Sequence, residues 1–362
     1  MRKILTFISV ILILIVLNGC KSIKKSDILF YEYFDTNIEL TVWDTKKYDI
    51  NDKLWQGAEE IIKRLHYTFK RTEPVDEEKA SELYNLNKKA GTDKPIKVSD
   101  ELFYLIKKSI DIAKETEGRF DPSIGALVDL WNIKSTDKDR GKDKEKDERR
   151  TRPKDEDIAN SLSLVDYNLI KIDEENKTIV IPKEGMVIDL GGIAKGYAAD
   201  KLVEYFNEKD IKHALLNVGG NIYALGDRYE EKDGTTNWKI GIRKPFNNSN
   251  LGILSVKNKT VVTSGVYERY FIDRVEEKRY HHILDTTTGF PVENKLLSVS
   301  IITENSTLAD ALSTSVFAMG LEDGMDFIEN YESVEAVFSY YDENKDMAIA
   351  KSSGVDSLYH FE

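Results

Sequence analysis

Between Met186 and Asp200 the chain reads MVIDLGGIAKGYAAD, a segment that narrows the possible folds more than any other. An apolar run ends at Asp189, two glycines follow, and a small-residue stretch with Lys195 runs on toward Lys201, Leu202 and Val203. The pattern predicts a strand, a glycine turn and a helix. Such a turn bares backbone N–H groups beside a helix N-terminus, which suits an anion, and Lys195 adds a mobile positive charge. The order differs from a Walker A loop, where Lys directly precedes Ser or Thr, and from the G-x-G-x-x-G dinucleotide fingerprint. Taken alone, the segment allows two readings: a phosphate site, or a strand packed tightly on its own helix.

Residues 1–19 read as an export signal, with Arg2 and Lys3 ahead of an apolar run over 5–17 that is short for a membrane span. Leu17-Asn18-Gly19-Cys20 fits a lipobox, so Cys20 is the expected lipid attachment point and 20–28 a short polar tether; an uncleaved anchor is the alternative. Either way the body is expected to sit outside the cytoplasm, held at the cell membrane. Cys20 is the only cysteine, which rules out an internal disulfide and leaves the fold to its core. The 362 residues are enough for a large one. The formal charge of −12 becomes −14 once Arg2 and Lys3 are removed, a balance that argues against nucleic acid as a partner.

Residues 30–43 alternate as a first strand does. Over 52–69, Leu54, Ala58, Ile61, Ile62, Leu65 and Phe69 recur at helical spacing. Ser99 is expected to cap a helix that buries Leu102, Leu105, Ile106, Ser109, Ile110 and Ala113 and stops near Glu117-Gly118. Residues 134–157 are almost all Lys, Arg, Asp and Glu; without apolar periodicity they cannot build a core and read as an exposed, mobile insertion. The second half is strand-rich, at 214–218, 221–225, 239–243, 252–256, 260–264 and 297–302, with a helix at 307–320 and a closing hairpin at 336–350. Helices and antiparallel strands mix without strict βαβ alternation, which predicts an α+β fold.

Three constellations carry chemistry. Asp310 and Thr314 are four apart and share a helix face, where carboxylate and hydroxyl oxygens suit Mg²⁺ rather than Zn²⁺. The alternative has Asp310 capping the helix and Thr314 merely packing. His281 and His282, two of only five histidines, precede an Asp-x-x-x-Gly-x-Pro turn, and either a structural or a proton-handling role is open to them. The 118–131 segment sets Arg119, Phe120 and Asp121 before an apolar helix, either to grip a planar ring or as a plain loop-to-helix junction.

Six stretches, TEGRFDPSIGALVDLW, VIDLGGIAKGYAAD, LNVGGNIYALG, VTSGVYERYF, HHILDTTTGFPVEN and ADALSTSVFAMG, occur in an order that resembles the ApbE family of FAD:protein FMN transferases. The resemblance spans most of the chain after Phe30 and implies a single large T-fold-like α+β domain over 29–362, with 134–157 as a local insertion. It also implies a Mg²⁺-dependent reaction that moves the FMN half of FAD onto a Thr hydroxyl of an exported or membrane-bound acceptor and releases AMP. Carried over by position, Gly192 (through its carbonyl), Asp310 and Thr314 would hold Mg²⁺, with Ser313 adjacent. Phe34, Phe69, Arg119, Phe120, Asp121, Asp189, Lys195 and Leu284 would contact FAD, and His282 and Asp310 would act in catalysis. The sequence departs from the family at Phe34-Asp35, where Met-Gly is usual, and at Asp285-Thr286, where Asp-Pro is usual. Flavinylated subunits of the sodium-pumping NADH:quinone reductase or of Rnf complexes are the acceptors the resemblance suggests. Two rivals share these features: an FAD pyrophosphatase that uses water, and a flavin-binding lipoprotein without catalysis.

Overall fold

The structure is a computed structural model that describes residues 23–31, 33–74, 80–133, 150–230, 234–247, 249–357 and 359–360. Its spine is an eight-stranded sheet, antiparallel at every pairing. In spatial order the strands are Lys24–Phe30, Ile38–Asp44, His213–Val218, Asn221–Leu225, Lys259–Gly265, Leu296–Thr303, Glu335–Tyr341 and Met347–Lys351. Among the described residues eight α-helices accompany the strands: α1 Lys53–Phe69, α2 Glu82–Asn87, α3 Asp100–Glu115, α4 Gly125–Trp131, α5 Asp155–Leu162, α6 Ala194–Glu208, α7 Ser306–Met319 and α8 Leu321–Glu329. The mixture is α+β, as expected.

Burial explains the arrangement. All eight residues of Leu296–Thr303 are buried, Ser298, Ser300 and Thr303 included, so this strand is covered on both faces. Val299 and Ile301 pack with Leu312 and Val316 of α7, while Ile302 packs with Trp238 and Leu254 of a smaller sheet on the other side. A second core joins α1, α3 and α6 to Ile38, Leu40 and Val42. Ser99 caps α3 by accepting the Leu102 N–H at 3.3 Å, and the chain leaves that helix through Glu117 and Gly118 at φ +50° and +80°.

Four expectations are corrected. The tether expected at 20–28 is strand from Lys24 onward, because Ile28 and Phe30 pair with the apolar edge of Ile38–Asp44. The single strand expected over 30–43 is therefore two, broken by a turn in which Phe34 and Asp35 both take left-handed backbone (φ +54° and +52°). The strand expected before the glycine turn reduces to one bridge, Val187 to Ile124, because this stretch runs beside the 118–125 loop rather than a sheet edge. The end of the charged insertion is tied down: the Arg150 guanidinium donates to the Trp131 and Asn132 carbonyls (2.7 and 2.9 Å), the Arg152 N–H donates to Asp273 (2.6 Å), and α5 begins at Asp155. Residues 1–22, with the export signal and Cys20, and 134–149 lie outside the described residues.

Candidate active site

Helices α6 and α7 cross at a glycine. A Cβ on Gly196 would sit 2.1 Å from the Ser306 carbonyl oxygen and 2.9 Å from Asp310 Cβ, so only glycine lets the two backbones approach this closely. One turn along α6, Asp200 accepts the N–H groups of Ser306 and Thr307 (2.8 Å each) and the Thr307 hydroxyl (2.6 Å), satisfying donors at the start of α7. Asn305 caps α7 in the usual way through the Leu308 N–H at 2.7 Å. Asp310 is therefore no cap. It is buried one turn inside α7, with Lys195 Nζ 3.0 Å from Oδ1 and the Gly196 N–H donating to Oδ2 at 3.0 Å. A buried carboxylate needs such partners, and Lys195 sits on Asp310 for that reason.

Thr314 lies one turn further on the same face. The Ser264 hydroxyl reaches it at 3.4 Å and reaches Ser313 at 2.8 Å. Gly192 approaches from the α6 side: a Cβ there would lie 3.8 Å from Thr314 Oγ1 and 3.2 Å from the Phe120 ring. Gly192 thus lies near Phe120 and Thr314, and Lys195 on Asp310 of the same α7 face. One carboxylate, one hydroxyl and one main-chain carbonyl make a set of hard oxygen donors suited to a small hard cation. Ser313 is different: it is fully buried and bonds the Asp310 carbonyl at 2.9 Å, so it supports Ser264 and the helix rather than facing the site.

The neighbouring loops are stitched together. Asp189 accepts the Gly191 N–H at 2.6 Å and a guanidinium bond from Arg71, which also reaches Asp129 at 2.5 Å. Arg71→Met would leave Asp189 partly buried without its cation, and is expected to cost about 2 kcal/mol in urea unfolding; a wild-type midpoint would show that the pair contributes nothing. Thr286 donates to the Gly118 carbonyl at 2.6 Å, so a cross-loop bond supplies the stiffness a proline would give there. Trp131 ties the same turn through the Gly289 carbonyl at 2.7 Å.

Four predicted ligand contacts have other duties. The Asp121 carboxylate holds the Ser123 N–H and hydroxyl (2.7 and 2.6 Å) and the Tyr167 N–H (3.0 Å); burial raises its pKa and these bonds oppose the rise. Leu284 is buried beside Trp131 and Leu127. Phe69 is buried edge-on against Tyr197, at 5.7 Å between centroids. Phe34 packs on His66, whose Nδ1 accepts the Phe34 N–H at 3.0 Å. Arg119 stands half-buried in the same loop as Phe120.

The two histidines divide their roles. His281 is buried, donating from Nε2 to the Val292 carbonyl (3.0 Å) and accepting the Ile283 N–H at Nδ1 (3.3 Å), an arrangement that demands the neutral ring. Burial pushes its pKa down to about 4. An unfolded histidine protonates near 6.5, so the stability from this group is complete above that pH and is lost as pH falls toward about 4, by at most about 3 kcal/mol. The urea midpoint is expected to fall across this window, and His281→Gln to flatten that part of the profile; parallel profiles would contradict the assignment. His282 donates from Nδ1 to the Arg269 carbonyl at 3.2 Å, which leaves the Nε2 lone pair as the acceptor. Burial first, and then the charge of Arg269, hold it well below the ordinary imidazole pKa.

Sequence reasoning missed Asp200, Ser264, Arg71 and Asn221. Asp200, Ser264 and Asn221 lie inside quoted motifs and were legible as chemistry-bearing letters. Arg71 lies in no motif, and its partners are distant in sequence. Asn221 sits opposite Val262 on the sheet face that Ser264 shares, and its Nδ2 is buried with no partner among the described residues, a donor an anionic ligand would satisfy.

Fold and site together define an α+β protein that gathers a lysine, a buried carboxylate, hydroxyls and glycine-turn amides around one point, a class suited to phosphate chemistry. The chain belongs to the ApbE family, whose model matches residues 34–338. It is similar to the FAD:protein FMN transferase of Klebsiella pneumoniae, 32% identical over 85% of this chain and 92% of the relative. The FAD:protein FMN transferase of Treponema pallidum is 35% identical over 72% and 71%. The crystal structure of the ApbE protein from Thermotoga maritima superposes with a TM-score of 0.76 at 29% identity, over 93% of this chain and all of that one.

Proposed function

We propose that this protein transfers FMN from FAD to a hydroxyl of a protein acceptor and releases AMP. The observation that carries the reading is the convergence of Gly192, Lys195, Asp310 and Thr314 where α6 meets α7. Asp310, Thr314 and the Gly192 carbonyl would hold Mg²⁺, which when bound neutralises the diphosphate and polarises its phosphorus. Lys195 stabilises charge on the phosphate oxygens. The acceptor hydroxyl attacks the FMN-side phosphorus, a new P–O bond forms, and the bond to the bridging oxygen breaks, so that oxygen leaves with AMP. His282 takes the hydroxyl proton at Nε2, and its lowered pKa keeps that lone pair available near neutral pH. Phe120, beside Gly192, walls the site.

Attachment at Cys20 belongs to the same proposal: it would keep the enzyme at the outer face of the cell membrane, beside exported or membrane-bound acceptors such as Nqr- or Rnf-type subunits. Among the described residues no helix is long and apolar enough to cross a membrane. The experiment is AMP release from FAD with and without a Thr-bearing acceptor domain, each with Mg²⁺ or EDTA. Release that needs both acceptor and Mg²⁺ is the expected result. Equal release without acceptor would make the protein a pyrophosphatase, and FAD bound but uncleaved would make it a binding protein.

A further inference from the structure

A cleft of about 460 Å³ opens between the Lys278–His281 and Pro291–Leu297 segments. Val266, two residues after Ser264, lines it, and His281, next to His282, forms part of its floor. Its rim carries Lys278, Arg279 and Lys295 against a single acid, Glu293. Lys278 is paired with Glu293, which leaves Arg279 and Lys295 uncompensated within the described lining. Both are exposed. The Arg279 guanidinium is pinned between two rings, 4.4 Å from the Phe246 centroid and 4.6 Å from that of Tyr270. Phe246 is 45% exposed and keeps a left-handed backbone (φ +57°) at the turn that presents it. A chain with a formal charge of −12 therefore offers a fixed, positively charged, aromatic-rimmed cleft next to its reactive centre.

We infer that this cleft docks an acidic segment of the acceptor protein and so directs the acceptor hydroxyl toward His282. The inference rests on the transferase reading for its partner but is measured without turnover. Carboxylates on the acceptor meet Arg279 and Lys295, and apolar side chains meet Val266 and Tyr341. Charge complementarity of this kind governs encounter and partner choice more than raw affinity, so its signature is salt dependence.

The test uses the full-length protein in detergent and two fluorescein-labelled peptides, one with a Thr flanked by Asp and Glu, the other with Asn and Gln in their place. In about 0.05 M salt the acidic peptide is expected to bind about tenfold more tightly, a preference that fades in about 0.5 M salt. Lys295→Glu and Arg279→Gln are each expected to weaken the acidic peptide about fivefold while leaving the neutral peptide and FAD binding unchanged. Equal binding of the two peptides, or a preference that survives Lys295→Glu, would overturn the inference. So would Lys295-dependent binding of phosphatidylglycerol vesicles without binding of the acidic peptide. A wild type that binds the acidic peptide but never modifies its Thr would instead count against the transferase reading.

Discussion

Asp310→Asn is expected to lower AMP release from FAD on the order of a thousandfold. The substitution keeps the shape of the side chain and removes its charge. Asn offers one carbonyl oxygen where Lys195 and the Gly196 N–H now use two carboxylate oxygens. Lys195, itself mostly buried, then loses its counter-charge, a loss expected to cost about 3 kcal/mol. The two effects separate by measurement. Stability is read from the urea midpoint, and turnover from AMP release well below that midpoint. A folded variant with an unchanged rate would remove Asp310 from the chemistry altogether.

The second large effect is expected from Gly196→Ala. Alanine favours a helix over glycine by about 1 kcal/mol, so propensity alone predicts stabilisation. Packing reverses the sign. The new Cβ would meet a carbonyl oxygen at 2.1 Å and its carbon at 2.6 Å, and backbone cannot swing aside as a side-chain tip does. Helix α6 has to retreat from α7, loosening the Gly196–Asp310 bond and the bonds from Asp200 to Ser306 and Thr307. Overpacking of this kind is expected to cost about 3 kcal/mol net and to take most of the activity with it. A variant as stable and active as the wild type would mean that the two helices have room to spare.

These effects bear on what the sequence makes legible. Asp310 and Thr314 were readable because helical spacing alone puts residues four apart on one face. Ser99 was readable because a cap acts within its own turn. What escaped depends on partners far along the chain. Lys24–Ile28 looked like tether because Lys24, Lys25 and Asp27 are exposed, and its pairing with Ile38–Asp44 is what makes it a strand. Arg71 reaches Asp189 across 118 positions with no local pattern to announce it. Asp121 looked like a ligand-facing acid, yet the 118–125 loop needs that carboxylate to hold its own N–H groups. Arg150 and Arg152 belonged to a run without periodicity, and distant partners such as Trp131, Asn132 and Asp273 give them a place.

The measurement that bears most directly on the central claim is the intact mass of a Thr-bearing acceptor domain after incubation with this protein, FAD and Mg²⁺. The predicted result is a mass gain equal to FMN less water, abolished by EDTA, by Asp310→Asn and by replacing the acceptor Thr with Ala. An acceptor of unchanged mass while FAD is consumed, or a mass gain that survives Asp310→Asn, would contradict the account.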